Sequence, residues 1–215
     1  MKNNLHDYRK SYEKHKLLEE EIVLDPFQLF NIWLDEIEAS REVEEVNTMT
    51  VSTVGLDGFP KSRVVLLKEY DNEGFTFYTN YSSEKGKSIA NNPKVCISFF
   101  WPDSERQVII KGIAEKTSEE ASLEYFNSRP RGSRLGAWAS EQSSVITSRD
   151  FLEKKLEALE REYEGKEIPK PPYWGGYKVI PSEFEFWQGR PNRLHDRIYF
   201  TKESDANWKI DRLAP

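Results

Sequence analysis

The sequence is poor in the residues that most site chemistries need: it has one cysteine and three histidines in 215 residues. Cys96 alone cannot close an internal disulfide, and it reads as a strand residue of the core. His6, His15 and His195 show no metal-ligand spacing with it, so no metal site is expected. No apolar run approaches the roughly 20 residues that span a bilayer, and the start MKNNLHDYRK lacks the apolar segment of a secretory signal. Both features point to a cytoplasmic protein with no membrane partner. A basic excess is missing too: 31 Lys and Arg stand against 37 Asp and Glu, a formal charge of −6. That balance excludes a general nucleic-acid binder, whose hold on a phosphate backbone needs surplus cations. Neither G-x-G-x-x-G after a strand nor G-x-x-x-x-G-K-[ST] occurs, so Rossmann and P-loop sites are not indicated.

Aromatic residues are plentiful, at 13% of the chain, and each buries a large area. Residues 1–24 are charged and weakly patterned, so they read as a mobile or partly helical arm, and 25–215 as one domain. Asp25-Pro26 followed by Phe27, Phe30, Trp33, Leu34 and Ile37 at helical spacing predicts a helix over 26–40. The period then changes. Met49 to Val54, the turn Asp57-Gly58 and Ser62 to Lys68 predict a hairpin, with further strands at 75–79, 95–101 and 106–114. Helical spacing is expected at 83–91, 118–128 and 148–164, the last with Phe151, Leu152, Leu156 and Leu159 inward. Strand patterns resume at 177–180, 183–187, 197–201 and 207–210, after a stiff connector at 168–172. Short turns between consecutive strands imply antiparallel pairing, and the sum is an antiparallel barrel of six or more strands dressed with helices.

In an acidic chain, concentrated basic residues raise the question of which anion they meet. One island is Lys61, Arg63 and Lys68, read on one strand with Arg63 and Lys68 on opposite faces, plus Lys85 and Lys87. A second, Tyr125 to Arg134, holds Arg129, Arg131 and Arg134 with hydroxyls and no acid, which suits a phosphate monoester. Gly132-x-x-x-Gly136, which runs past its end, reads as a turn. A third, Trp187 to Arg197, adds an aromatic plate and His195. The residues by themselves define a binder of phosphorylated aromatic ligands.

Several of these segments, in order, resemble the pyridoxine/pyridoxamine 5′-phosphate oxidase family: Arg63-Val-Val-Leu-Leu-Lys68, Phe77-Tyr-Thr-Asn80, Glu105-Arg-Gln-Val108, Tyr125-Phe-x-Ser-Arg-Pro130, Trp138-x-Ser-x-Gln-Ser-Ser144, Phe186-Trp-Gln-Gly189, Arg193-Leu-His-Asp-Arg197 and Trp208 to Pro215. The resemblance implies a mainly β, FMN-binding split β-barrel that works as a homodimer with flavin at the interface. It implies oxidation of pyridoxamine or pyridoxine 5′-phosphate to pyridoxal 5′-phosphate with O2 as acceptor, releasing H2O2, and ammonia from the amine. Another split-barrel flavin oxidoreductase, or a flavin or pyridoxal-phosphate carrier, are the alternatives.

The same resemblance assigns residues. Arg63 and Lys85 would hold the flavin phosphate, with Val64, Val65, Leu66, Leu67, Lys68, Tyr78, Thr79 and Gln107 along the cofactor. Gln142 and Ser143 would reach it from the partner subunit, and Trp187 and Arg197 would complete the site. Lys68, Tyr125, Arg129 and Ser133 would grip the substrate phosphate, with Arg9, Tyr12 and Leu194 also at the substrate and Arg193 and His195 as the catalytic pair. Glu84 stands before Lys85 where many members carry arginine, which leaves Lys87 as the other nearby cation.

Overall fold

Asp25 opens the first helix as its chemistry dictates, its carboxylate accepting a hydrogen bond from Phe27 N at 2.9 Å while Pro26 takes the first turn. The computed structural model describes residues 4–41, 43–204 and 207–215. Five α-helices are described: α1 Pro26–Ser40, α2 Glu84–Asn91, α3 Glu119–Ser128, α4 Arg131–Ala139 and α5 Arg149–Glu162. The strands are β1 Thr48–Val54, β2 Pro60–Leu66, β3 Glu69–Asp71, β4 Gly74–Asn80, β5 Lys94–Trp101, β6 Arg106–Lys116, β7 Trp174–Gln188, β8 Asp196–Lys202 and β9 Trp208–Arg212. They form one sheet in the order β2-β1-β5-β6-β7-β4-β3, with β8 on β7 and β9 on β8. The β3/β4, β4/β7, β7/β8 and β8/β9 ladders are antiparallel.

The chain gathers into two compact units interleaved in sequence. The first comprises residues up to Thr50, Cys96–Lys111 and Pro181–Pro215. Its core is aromatic: Phe27 meets Phe184 at 5.2 Å, Phe30 meets Phe99 at 5.0 Å, and Trp33 meets Phe186 at 5.2 Å, all edge to face. Such pairs add about 0.5–1.5 kcal/mol each beyond the area they bury. Leu17 is buried in this unit, its amide donating to Asp196 Oδ2 at 3.1 Å.

The second unit comprises Val51–Val95 and Gly112–Ile180. Phe75, Phe77, Tyr177 and Val179 of β4 and β7 are buried in it. A separate cluster of Phe126, Leu135, Ile168 and Trp174 seats α3, α4 and α5 through Leu156 and Leu159. Gly86 places the start of α2: a Cβ there would overlap Tyr81 O and lie 2.5 and 2.7 Å from Tyr81 C and Cα. Gly86→Ala is therefore expected to lower stability by about 1–3 kcal/mol, the cost of overpacking against rigid backbone, where a helical Gly→Ala change ordinarily stabilises. A thermal melt checks it, since an unchanged or raised Tm contradicts the clash.

Four readings of the sequence need correction. The segment 177–180 and 183–187 is one strand, β7, because Pro181 and Ser182 fit its extended path without ending it. Gly132 and Gly136 lie inside α4 rather than in a turn, with nothing within 4 Å of where their Cβ atoms would sit. Phe151 is exposed, not inward, because α5 is a surface helix with no buried residue, packed on the cluster through Leu156 and Leu159. Lys68 lies beyond the end of β2, its amide bonded to Thr76 O at 2.9 Å, so strand alternation does not set its direction against Arg63.

Candidate active site

A cavity of about 480 Å³ lies in the second unit. Its walls are Val64, Val65, Leu66 and Lys68 from the end of β2, Tyr78, Thr79 and Asn80 from β4, and Lys85 from α2. Tyr125, Arg129, Ser133, Gly136, Ala137, Ser140, Gln142 and Trp174 close it. Two of the three basic islands thus supply lysine and arginine to a single hollow.

Lys85 is brought there by the cap on α2, where Ser83 Oγ accepts from Gly86 N at 3.2 Å. The lysine is 8% exposed, and its Nζ donates to Thr79 Oγ1 at 3.1 Å and Gln142 Oε1 at 3.3 Å, both neutral acceptors. Burial, then the Arg63 charge, pull its proton affinity below that of an ordinary lysine, while Glu84 works the other way. Arg63 is lowered by burial too, and its Nη1 donates to Thr53 Oγ1 at 2.8 Å and Val51 O at 3.2 Å. The nearby carboxylate, Glu84, is bound to Lys61. Lys87 is exposed and does not line the cavity. Among the described residues, the donors of these two neighbouring cations meet only neutral acceptors.

Arg129 shows the same deficit. It caps the end of α3, and Pro130 turns the chain into α4. Its Nη1 is buried without a hydrogen-bond partner among the described residues, and burial lowers its proton affinity. A buried unsatisfied donor costs about 1–3 kcal/mol, more when charged, so this group is built to meet something. Tyr125 and Tyr78 stack at 3.9 Å beside it. Burial, and then Glu69, which accepts from the Tyr78 hydroxyl at 3.4 Å, keep that phenol firmly protonated.

Of the remaining site candidates, Arg9, Tyr12, Gln107, Trp187, Arg193, Leu194, His195 and Arg197 lie in the first unit, and Leu67, Gln142 and Ser143 in the second. Tyr12 sits edge-on to Trp187 at 5.7 Å and against His195 at 5.7 Å, and Trp187 lies 4.7 Å from His195. Arg190 N donates to His195 Nδ1 at 3.1 Å, so the ring proton of neutral His195 resides on Nε2. Arg193 and Leu194 are exposed, and Asn192 and Arg193 are consecutive left-handed residues at φ 57° and 62°. Arg197 is engaged within the unit, with Glu185 Oε1 at 2.8 Å and Ala214 O at 2.8 Å. Arg9 is exposed and bonds His6 O at 2.8 Å, and Gln107 is half-buried on β6. Leu67 is buried, and Ser143 is exposed with φ 71°. Gln142, expected from a partner subunit, bonds Thr79 Oγ1 of its own chain at 3.1 Å.

Trp174, Asn80 and Ser140 line the cavity without having been singled out as site residues. Asn80 ends the segment Phe77–Asn80 and Ser140 lies within Trp138–Ser144, both of which carry the family resemblance. Trp174 carried one signal: it precedes Gly175-Gly176, and paired glycines in a strand mark close approach of other groups. A Cβ on Gly176 would lie 2.9 Å from Tyr78 Cε1.

The hollow thus combines aromatic walls with Lys68, Lys85 and Arg129 beside an antiparallel sheet. Comparison with known proteins makes the class specific. Residues 34–162 match the family model described as pyridoxamine 5′-phosphate oxidase, and 174–215 match that for the pyridoxine 5′-phosphate oxidase C-terminal dimerisation region. The pyridoxine/pyridoxamine 5′-phosphate oxidase of Flavobacterium johnsoniae is 65% identical over 99% of both chains. That of Christiangramia forsetii is 59% identical over the full length of both. In structure the chain resembles PhzG of Burkholderia lata, solved with tetrahydrophenazine-1-carboxylic acid, with a TM-score of 0.85 and 27% identity over 93% of this chain and 98% of that one. The chain belongs to the pyridoxamine 5′-phosphate oxidase family, with its split-barrel fold, and is an oxidoreductase.

Proposed function

We propose that the protein oxidises pyridoxamine 5′-phosphate and pyridoxine 5′-phosphate to pyridoxal 5′-phosphate, using FMN and O2, as a cytoplasmic homodimer in the making and salvage of that product. The observation that carries the reading is the cavity that gathers Lys85 with Lys68 and Arg129, whose Nη1 is orphaned. Such a set fits two phosphate monoesters: Lys85 with Arg63 for that of FMN, and Lys68, Arg129, Tyr125 and Ser133 for that of the substrate. The relatives' names, at up to 65% identity over nearly the whole chain, support the substrate class. The match of 174–215 to a dimerisation region supports the homodimer.

When bound, FMN would supply the acceptor for two electrons that O2 finally takes as hydrogen peroxide. The protein's own part is alignment: a phosphate held by Lys68 and Arg129 fixes the pyridine ring, and a fixed reactant removes much of the entropic barrier. Val64, Val65, Leu66, Leu67, Tyr78, Thr79, Gln107, Gln142, Ser143, Trp187 and Arg197 are assigned to the cofactor. Arg9, Tyr12 and Leu194 are assigned to the substrate. We assign Arg193 to cover the substrate and His195 to polarise the reacting amine or alcohol through its Nε2. The amine, with O2 and water, yields the aldehyde, ammonia and hydrogen peroxide; the alcohol, with O2, yields the aldehyde and hydrogen peroxide.

Anaerobic addition of pyridoxamine 5′-phosphate to the yellow holoenzyme is expected to bleach the flavin band, and air to restore it with peroxide formed. A band that stays unchanged rejects the proposal. The histidine makes its own prediction. Burial first, then the Arg193 charge, lower its proton affinity below the ordinary 6.5, and Asp196 only partly offsets them. A depressed histidine stays neutral at pH 7, and its contribution to stability is lost as pH falls through 6.5 toward the lowered value. Turnover should therefore fall on the acid side with a midpoint below 6.5, and His195→Gln should remove that limb. An acid limb that persists unchanged in the variant assigns it to another group.

A further inference from the structure

Arg129 has no carboxylate partner among the described residues, yet it is half-buried and lines the cavity. What holds it is a ring. Its guanidinium carbon lies 4.7 Å from the centroid of Trp174 and 5.8 Å from that of Phe126. We infer that Trp174 is a positioning residue for the phosphorylated substrate: its indole face holds the Arg129 guanidinium in place while leaving the fork's charge and donors for the phosphate. The inference rests on the reading of Arg129 as a phosphate grip.

The physical distinction is between two ways of fixing a buried arginine. A carboxylate would orient it as well, but would neutralise the charge and occupy the donors that a phosphate needs. An aromatic face attracts the cation through its quadrupole and takes no N–H. The orphaned Nη1 of Arg129 is what the second arrangement leaves behind.

Trp174 is itself firmly placed. It is 6% exposed, pairs with Asn80 in the β4/β7 ladder, donates from its amide to Pro171 O at 3.1 Å and accepts at its carbonyl from Lys170 Nζ at 2.8 Å. Its ring lies nearly parallel to Tyr78 (5.5 Å, 10°) and Tyr125 (6.1 Å, 10°), with Phe126 edge-on at 5.2 Å. The stack thus ties Tyr125, the other proposed phosphate contact, to the same plate.

The test uses the FMN-loaded full chain and compares Trp174→Leu, Trp174→Phe and Arg129→Met. A cation–π contact in a desolvated site is worth about a tenfold change in binding. Trp174→Leu should raise KM for pyridoxamine 5′-phosphate about tenfold with kcat within about twofold. Trp174→Phe, whose face is weaker, should raise it about two- to fivefold. Inorganic phosphate, as competitive inhibitor, should lose affinity by the same factors. A general packing role would instead lower kcat and flavin content together and leave phosphate inhibition unmoved; that pattern overturns the inference. If Trp174→Leu does not fold, Trp174→Phe decides, and an unchanged KM there overturns it too. If Arg129→Met raises KM but neither Trp174 variant does, the inference fails while the phosphate reading survives. If Arg129→Met itself leaves KM unchanged, it is the phosphate reading that fails.

Discussion

Arg129→Met is expected to raise KM for pyridoxamine 5′-phosphate by about thirtyfold to a thousandfold and to leave FMN bound. The range follows from removing one partner of a desolvated charge pair, which costs about 2–4 kcal/mol because the other charge stays buried and unmet. Methionine keeps an unbranched apolar stem against Trp174 and Phe126, so the variant loses the fork with little loss of packing. Arg129→Lys should recover only part of the affinity, since a point charge cannot make two parallel bonds to a phosphate. Steady-state kinetics with the flavin content measured on the same sample decide the matter. A normal KM, or a colourless protein, contradicts the assignment of Arg129 to substrate rather than cofactor.

The second large effect belongs to Lys85. Lys85→Met should weaken FMN binding by about thirtyfold to a thousandfold on the same argument, and the double variant with Arg63→Met should purify without flavin. The free protein should not suffer in parallel. Burial and Arg63 depress the proton affinity of Lys85, so its charge is an unfavourable element of the unliganded fold. A lysine whose folded value is depressed weakens the fold while it is charged, and that cost fades as pH rises through the lowered value. Methionine removes it, so the apo variant should melt at the same temperature or higher. Loss of flavin together with a lower apo Tm would show that Lys85 acts through the fold and not through an anion. Retention of flavin by the wild type should also weaken as pH rises through the depressed lysine value, because the neutral amine no longer attracts phosphate.

How much of this was legible beforehand depended on the range of the interaction concerned. The α1 start needed only Asp25, Pro26 and the spacing of Phe27, Phe30 and Trp33, all within a few turns of one another. The β1–β2 hairpin needed only the turn at Asp57-Gly58, where Gly58 takes φ 82°. α4 was not legible, since Arg131-Gly-Ser-Arg-Leu-Gly reads as a turn until Leu135 and Ala139 find the cluster around Phe126 and Trp174. The split of β7 had the same cause. Pro181 is a local breaker, and pairing along both halves of the strand overrode it.

The basic islands behaved in the same way. The proposal that Lys68, Lys85 and Arg129 meet an anion starts from their concentration in an acidic chain, and the family resemblance implies two phosphates for them. That they share one hollow, that Glu84 is taken by Lys61, and that Gln142 turns back onto Thr79 and Lys85 depended on the folded path of the chain.

Periodicity and the order of motifs therefore determined the fold class and the family of the protein, because helical and strand spacing and turn chemistry act over a few residues. Which cations stay unpaired, and that a tryptophan rather than a carboxylate steadies Arg129, was decided by tertiary structure alone. Desolvation and ring stacking arise only when residues far apart in the chain are packed together, and no local pattern encodes them.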